Sequence, residues 1–554
     1  MDFSINHIGY LLDLIDANSD EPTPLAKRLI ANALYGDTQF LESSANIGFL
    51  DALATGGVNM TNGFDASASG NIWSCILTME GTVLFASATT KRHESSATGK
   101  PTFPFAVSPV LAGEGSIGAN ESPRPELWLP TWHAPASIME LSRLFSEGRT
   151  TLGKNIAQNG IDMLQALSLL GVDRGITAFE RYGIYERRGQ GTYVTAHLGR
   201  YRVPEAQSKN WIIGDLGKDY WLQRFRSFTQ GKGVANHFLV LRKQLEDKLF
   251  VLSGYEPRPP EVQAILALLG EIQSALASSN KARESVDPLP RLSEQWVQRA
   301  NDKTPAFRIA RALAGLRGGD TFPLPLRAQL FPNHPRYLNK WIDDANNLGN
   351  DPANRIRIYT GAAGSLPHAL RNLLARRLLL AEKLEMKDKP LQSLAGVALE
   401  DIAAFLQNDS MDRRIASLLP GLSLCDIPRD VDHTGGDGSV PAAFALLKLC
   451  LTPDSILRSL GALGQDEHLP LPVGMLAQLG SGHKSERAVE AAWRRLRASG
   501  LNPVFSRNDL PSLDGIRPER AAAALLIPLR YGAYDRLARS VLKKSSEKAD
   551  SPAA

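Results

Sequence analysis

The residues whose types and spacing could do chemistry begin with a run of arginines and tyrosines. Arg174, Arg181, Arg187, Arg188, Arg200 and Arg202 stand against only Glu180 and Glu186, with Phe179, Tyr182, Tyr185, Tyr193 and Tyr201 between them. Guanidinium groups neutralise phosphates and aromatic rings stack on bases, so this mixture suits a nucleic-acid strand or groove. Spacing alone gives equal weight to a β-ribbon whose tyrosines pack inward while its arginines lay their stems along apolar surface. A second candidate is the polar loop holding Ser43, Ser44, Asn46, Gly56, Gly57, Asn59, Thr61, Asn62 and Gly63. Its small residues and amides allow close approach to sugar, phosphate or base edges, or make an Asx-rich turn. Two basic helix ends, Trp493-Arg494-Arg495 with Arg497 and Arg371 with Arg376 and Arg377, each read more simply as solvated faces.

Other chemistries find less support. Cys425, Asp426, Asp430, Asp432, His433 and Asp437 could hold a divalent metal for phosphodiester cleavage, but the stretch is rich in Gly and Pro and reads better as an inter-helix loop. Gly113, Gly115 and Gly118 spell a dinucleotide fingerprint, yet Asn120, Pro123 and Pro125 follow where a helix must begin. The signatures of zinc proteases, serine hydrolases and P-loops are absent, and the histidines are dispersed. Cys75, Cys425 and Cys450 form no paired motif, which argues against a disulfide framework or structural zinc and fits a reducing cytoplasm. No catalytic centre, metal or cofactor is therefore expected.

These groups must be positioned by the elements around them. Apolar spacing predicts two short helices over residues 1–35, interrupted by the acidic break at Ser19 to Pro24. Ile72 to Ser87 reads as a buried helix, Phe103 to Leu111 as a short strand, and Pro125 to Pro135 as too proline-rich for a helix. Ser137 to Ser146 and Asn155 to Leu170 carry helical patterning, and the stretch from Tyr182 to Val203 alternates about Gly189 and Gly191 as a β-hairpin does. From Asn236 onward, i, i+3, i+4 apolar spacing recurs in one segment after another.

The expected class is therefore α+β: a mixed α/β N-terminal domain with a β-hairpin, then a mainly α-helical C-terminal half. The expected division is residues 1–255, a helical middle region 256–425, a C-terminal helical bundle 438–544 and a disordered tail 545–554. Boundary signals are the Pro-rich stretch at 255–262 and the Gly/Asp/Pro-rich stretches near 316–327 and 426–441.

Charge placement points to a polyanion more than the total does. The chain of 554 residues carries a formal net charge of +4, but Lys484 to Lys544 holds thirteen Lys/Arg against six Asp/Glu, so the remainder sums to about −3. The first twenty-one residues are acidic and amphipathic, unlike a signal peptide, and no run of eighteen uncharged apolar residues predicts a spanning helix.

At the asparagine-glycine loop the sequence becomes recognisable. SSANIGFLDALATGGVNMTNGFD (43–65) and GNIWSCILTMEGTVLFASATTKR (70–92) resemble the large-subunit family of type I-G (formerly I-U) CRISPR effector complexes. That family carries such a loop, an NPW-like helix start and an LEGxxLFA core helix. FPFAVSP (103–109), ELWLPTW (126–132), LFSEGR (144–149) and above all residues 168–203 are similar to its central block, and FRIARALAGL, RRLLLAEKL, LEDIAAFLQ, LLPGLSL and AWRRLRASGLNP to its C-terminal half. The resemblance thus runs in order along nearly the whole chain. Two departures are Asn71-Ile72-Trp73 in place of NPW, and a start closer to the asparagine-glycine loop than the family pattern has.

The resemblance implies a non-enzymatic subunit that joins a CRISPR RNA-bound backbone, probes double-stranded DNA for the motif flanking the protospacer, helps open the target and leaves cleavage to a recruited helicase-nuclease. Base pairing would read the sequence while protein reads only the flank. Asn59, Asn62, Lys91 and Arg92 from the first motif, Arg174, Arg181, Arg187 and Arg188 from the second, and Arg494 and Arg495 near the C-terminus are the implied nucleic-acid contacts. The helical C-terminal region would resemble the small-subunit bundle that lines the displaced strand or the heteroduplex. No membrane partner is implied, and a metal-dependent nuclease built on the 425–437 carboxylates is the alternative.

Overall fold

The computed structural model describes residues 2–37, 71–87, 106–107, 126–132, 134–141, 151–152, 155–156, 163–164, 176–186, 193–203, 211–253, 256–318, 323–342, 359–361, 364–386, 388–430, 436, 438–471, 474–480 and 485–543. Asn59, Asn62, Lys91, Arg92, Arg174, Arg187, Arg188, Asp432, His433, Asp437 and the glycines at 113–118 lie outside them. The chain is α+β, a small antiparallel sheet followed by a mostly helical C-terminal half. It divides into two compact units, residues 1–214 with 246–256, and residues 215–245 with 257–554.

In the first unit, helices α1 (Asp2–Leu14) and α2 (Pro24–Tyr35) flank the acidic break. Thr23 caps α2, its Oγ1 accepting from Ala26 N at 3.1 Å, and Pro24 occupies the first turn, where its missing N–H costs no hydrogen bond. Helix α3 (Ile72–Ser87) begins at the Asn71-Ile72-Trp73 tripeptide. Buried Asn71 accepts from Trp73 N at 3.0 Å and donates to Leu29 O at 2.7 Å, and Trp73 Nε1 reaches Ala26 O at 2.9 Å. The tripeptide therefore caps one helix and ties it to another. Leu14, Ala26, Leu29 and Ile76 form the core beneath them.

The sheet of this unit has the order β1 (Ala106–Val107), β2 (Glu126–Trp132), β5 (Ile176–Glu186) and β6 (Tyr193–Arg202), antiparallel throughout. The hairpin is thus present, with its turn outside the described residues. Gly199 lies opposite Arg181 where the register shifts, and its φ of 116° is a conformation that L side chains rarely adopt. The helix expected from Asn155 is corrected. Asn155–Ile156 (β4) instead pairs antiparallel with Thr151–Leu152 (β3), and Met163 and Leu164 are helical. The close Thr151–Gly153–Asn155 sequence favours a tight turn over continued helical spacing.

The second unit is helical. Its principal elements are α4 (Trp221–Thr229), most of α5 (Asn236–Ser253), α6 (Pro259–Ser278), α7 (Pro305–Ala314), α8 (Leu366–Lys383), α9 (Leu399–Gln407) and α10 (Asp412–Leu422). They continue with α11 (Ala442–Cys450), α12 (Asp454–Ser459), α13 (Met475–Gly480), α14 (Ser485–Ala498), α15 (Pro518–Ala524) and α16 (Tyr531–Val541). Thr304 and Ser365 cap α7 and α8 through bonds to Phe307 N and His368 N, both 3.4 Å.

Residues 257–425 and 438–544 belong to this one unit, and described parts of both boundary signals within it pack against neighbouring elements. Near 316–327, β7 (Leu316–Gly318) pairs with β8 (Gln392–Ser393) and Leu324 is fully buried. In the 426–441 stretch, Gly436 and Gly438 abut Ala398 and Glu400 closely enough that a side chain at either would collide. Gly and Pro mark these segments because the backbone runs tight against a neighbour, a requirement that composition cannot separate from a linker.

Helix α6 crosses α10 at close range. A β-carbon at Gly270 would meet Gly421 N and Pro420 Cβ at 2.7 Å, and one at Gly421 would lie on the backbone carbonyl of Leu266. Gly421→Ala is expected to destabilise this unit by about 2 kcal/mol through overpacking, read as a lower urea midpoint at unchanged slope. An unchanged midpoint would show that the crossing is looser than drawn.

Candidate nucleic-acid interface

The arginine- and tyrosine-rich segment occupies strands β5 and β6, and strand alternation sorts its residues onto two faces. On the inner face Trp128, Phe179 and Tyr201 are buried together, with ring centroids 5.9 Å (Trp128–Phe179) and 5.6 Å (Trp128–Tyr201) apart. Arg181 sits among them. Its Nε binds Glu126 Oε1 at 2.5 Å, and its guanidinium carbon lies 4.3 Å from the Phe250 ring and 5.1 Å from the Trp128 ring. Glu126 is wholly buried and the Arg181 side chain is only 13% exposed, so this arginine is committed to the core of the unit rather than to a phosphate.

On the other face Glu180 pairs with His197 Nε2 at 2.9 Å and Arg200 Nε at 3.3 Å, and Tyr182 packs its ring 5.2 Å from that of His197. Arg202 is exposed at the strand end. Among the described residues the segment therefore follows the β-ribbon reading for Phe179, Arg181 and Tyr201, while Arg200 and Arg202 stay exposed.

The C-terminal candidates stand differently. Helix α14 is amphipathic. Ala488, Val489, Ala492, Trp493 and Leu496 are buried, while Arg487, Arg494 and Arg497 face outward. Trp493 Nε1 donates to Phe505 O at 2.9 Å, which fixes the inner face, and the Arg497 guanidinium lies 5.2 Å from the Trp493 ring. Arg495 NH1 donates to Leu471 O at 2.6 Å, tying the helix to the loop before α13.

Between that loop, α13 and α14 lies a cleft of about 720 Å³, lined by His468, Gln478, Arg487, Glu490, Arg494 and Arg495 among others. Glu490 is its one carboxylate, and hydrogen bonds from Arg494 (2.6 Å) and Arg507 (2.9 Å) hold it below the usual carboxylate range. Three arginines thus line the cleft against one glutamate, which Arg507 from outside the lining also binds, and the lining keeps an excess of positive charge. The structure brings Arg494 and Arg495 together here and adds Arg487 and His468, which were not chosen from the sequence.

The remaining candidates have structural work. Arg377 is completely buried and donates to Gln329 Oε1 (2.7 Å), Pro390 O (2.6 Å) and Leu324 O (2.7 Å). It is therefore no part of a solvated face. Of the carboxylates weighed for a metal, Asp430 pairs with Arg311 at 2.6 Å and accepts from Gly396 N at 2.7 Å, and Asp426 pairs with Arg291. Burial holds the Cys425 thiol well above its ordinary range. No group of three or more His, Cys, Asp or Glu among the described residues could hold a metal ion.

The class that fold and site define is an α+β chain whose helical unit presents a basic cleft. No family model matches the chain, and no curated protein matches it significantly. Among the described residues no helix is long and apolar enough to cross a membrane.

Proposed function

We propose that this chain is the large subunit of a type I-G CRISPR RNA-guided surveillance complex. It binds the guide ribonucleoprotein and target double-stranded DNA in the cytoplasm, recognises the motif flanking the protospacer, and supports strand opening and recruitment of a helicase-nuclease. It acts by binding and is not itself an enzyme. Among geometric features, the outward row of Arg487, Arg494 and Arg497 on a helix whose opposite face is buried supports the reading most directly. Such a row contacts a polyanion without disturbing the fold that holds it, and gains affinity by releasing condensed counterions. The ordered resemblance from residue 43 to residue 503 supplies the identity of the assembly. The metal-dependent nuclease reading loses support from the arginine pairing of Asp426 and Asp430.

Co-expression with the neighbouring genes, affinity purification through this chain and sequencing of the bound RNA test the proposal. Repeat-derived guides of uniform length are the expected result. A purified assembly that lacks such RNA, or a chain that recovers none of its neighbours' products, overturns it.

A further inference from the structure

Behind the basic cleft lies a chain of polar groups that no surface role requires. Lys389 and Asp454 are each 1% exposed, and Lys389 Nζ donates to Asp454 Oδ1 at 2.6 Å and to Leu469 O at 2.9 Å. The other oxygen of Asp454 takes the Nδ1 side of the His468 ring, whose side chain is 48% exposed and lines the cleft. Asp388 closes the arrangement by accepting from the backbone N–H groups of Lys389 (2.6 Å) and Asp454 (2.8 Å). A carboxylate fixed in the protein interior therefore sets the aim of a half-exposed imidazole. With Nδ1 engaged by Asp454, Nε2 is the ring nitrogen left to the cleft.

Arg487, Arg494 and Arg495 line the same cleft, and each carries a planar fork of N–H donors whose geometry matches the oxygens of a phosphate. Arg495 is anchored by Leu471 O, Arg494 by Glu490 and His468 by Asp454, so these three are preorganised, while Arg487 stands exposed beside them. A carboxylate ligand would need fewer donors, and a cation would meet net positive charge.

We propose that this cleft is a phosphate seat, in which Arg487 and Arg494 supply charge, Arg495 shapes the wall, and His468, aimed by Asp454 and carrying a proton on each ring nitrogen, donates from Nε2 to a phosphate oxygen. It deepens the strand-binding reading, on which it rests for the ligand being a nucleic-acid phosphate. The geometry alone admits free phosphate as a second source.

The test uses the full chain and a fluorescein-labelled twelve-nucleotide single-stranded DNA, with inorganic phosphate as competitor. Arg487→Gln with Arg494→Gln leaves the buried face of α14 untouched and should weaken strand binding by about tenfold or more, since each charge-assisted bond contributes about a factor of ten. His468→Gln should weaken it by about threefold or more at unchanged melting temperature. Arg336→Gln with Lys340→Gln removes the same two charges from exposed residues outside the cleft and should change binding less than twofold. Displacement of the strand only by phosphate well above millimolar points to the strand's own phosphates, and displacement below millimolar, lost in the cleft variants, to free phosphate. An equal loss in the Arg336/Lys340 variant, or unchanged binding in the cleft variants, overturns the seat. Either result leaves the guide-complex reading to the RNA sequencing, whose failure in turn leaves a measured phosphate seat intact.

Discussion

Asp454→Ala should lower the stability of the helical unit by about 3–5 kcal/mol, the range expected when one member of a buried ion pair is removed. The ammonium of Lys389 would remain inside the protein with only the Leu469 carbonyl as partner, and His468 would lose the oxygen that orients it. Most of the penalty comes from the stranded charge, not from the lost attraction, and this has a separate consequence. Lys389→Met combined with Asp454→Leu removes both charges and should recover most of the loss, to within about 1–2 kcal/mol of the parent chain. Urea titrations followed by tryptophan fluorescence distinguish the cases. A single variant that unfolds within about 1 kcal/mol of the parent would mean that water or a neighbouring group reaches Lys389. Because the chain has two compact units, the comparison belongs to one unfolding transition and not to a single two-state value for the molecule.

That buried pair also shows where reading the sequence stops. Helices α5 to α9 and α14 follow from apolar spacing, because a helix that buries one face repeats its apolar residues every three or four positions. Arg494 faces outward for the same reason, since it falls opposite Ala492 and Leu496 on such a helix, whereas Arg495 lies beside the buried face and reaches Leu471 O. The Lys389–Asp454–His468 chain was not legible. Its members are 65 and 14 residues apart, and nothing local relates them. The histidine that lines the cleft was passed over because no second histidine lies at ligand spacing, whereas its real partner is a carboxylate brought from the start of α12.

Arg377 is a different kind of miss, because a signal existed. It lies four residues after Leu373, three after Leu374, three before Leu380 and four before Ala381, all buried, and so falls in the middle of the apolar stripe of α8. An arginine at such a position is buried when the fold supplies acceptors, and here three acceptors surround it. In the sheet, the alternation that places Phe179 and Tyr201 inward places Arg181 inward as well, once the strand register is known. Register depends on pairing with β2, more than forty residues away, and the hairpin pattern alone does not contain it.

Lys448 turns the same physics into a pH effect. It is buried in α11 and donates to Leu525 O and Ile527 O, both 2.7 Å, just beyond the C-terminal end of α15. Burial pushes its ammonium from the ordinary value of 10.5 down to about 7. The unfolded chain keeps the ordinary value, so between pH 7 and pH 10.5 the unfolded state binds more protons than the folded one, and folding stability rises with pH across that window. Below about pH 7 both states are protonated and the burial cost is present in full. At about 1.4 kcal/mol per pH unit, the stability of the parent chain relative to Lys448→Met should increase by about 3 kcal/mol from pH 7 to pH 9.5, because other alkaline titrations cancel in the difference. A difference that stays flat would mean that the two carbonyls and the negative end of α15 hold the ammonium charged at pH 9.5. The helix end would then outweigh the loss of water, and Lys448 would act as a capping cation instead of a buried liability.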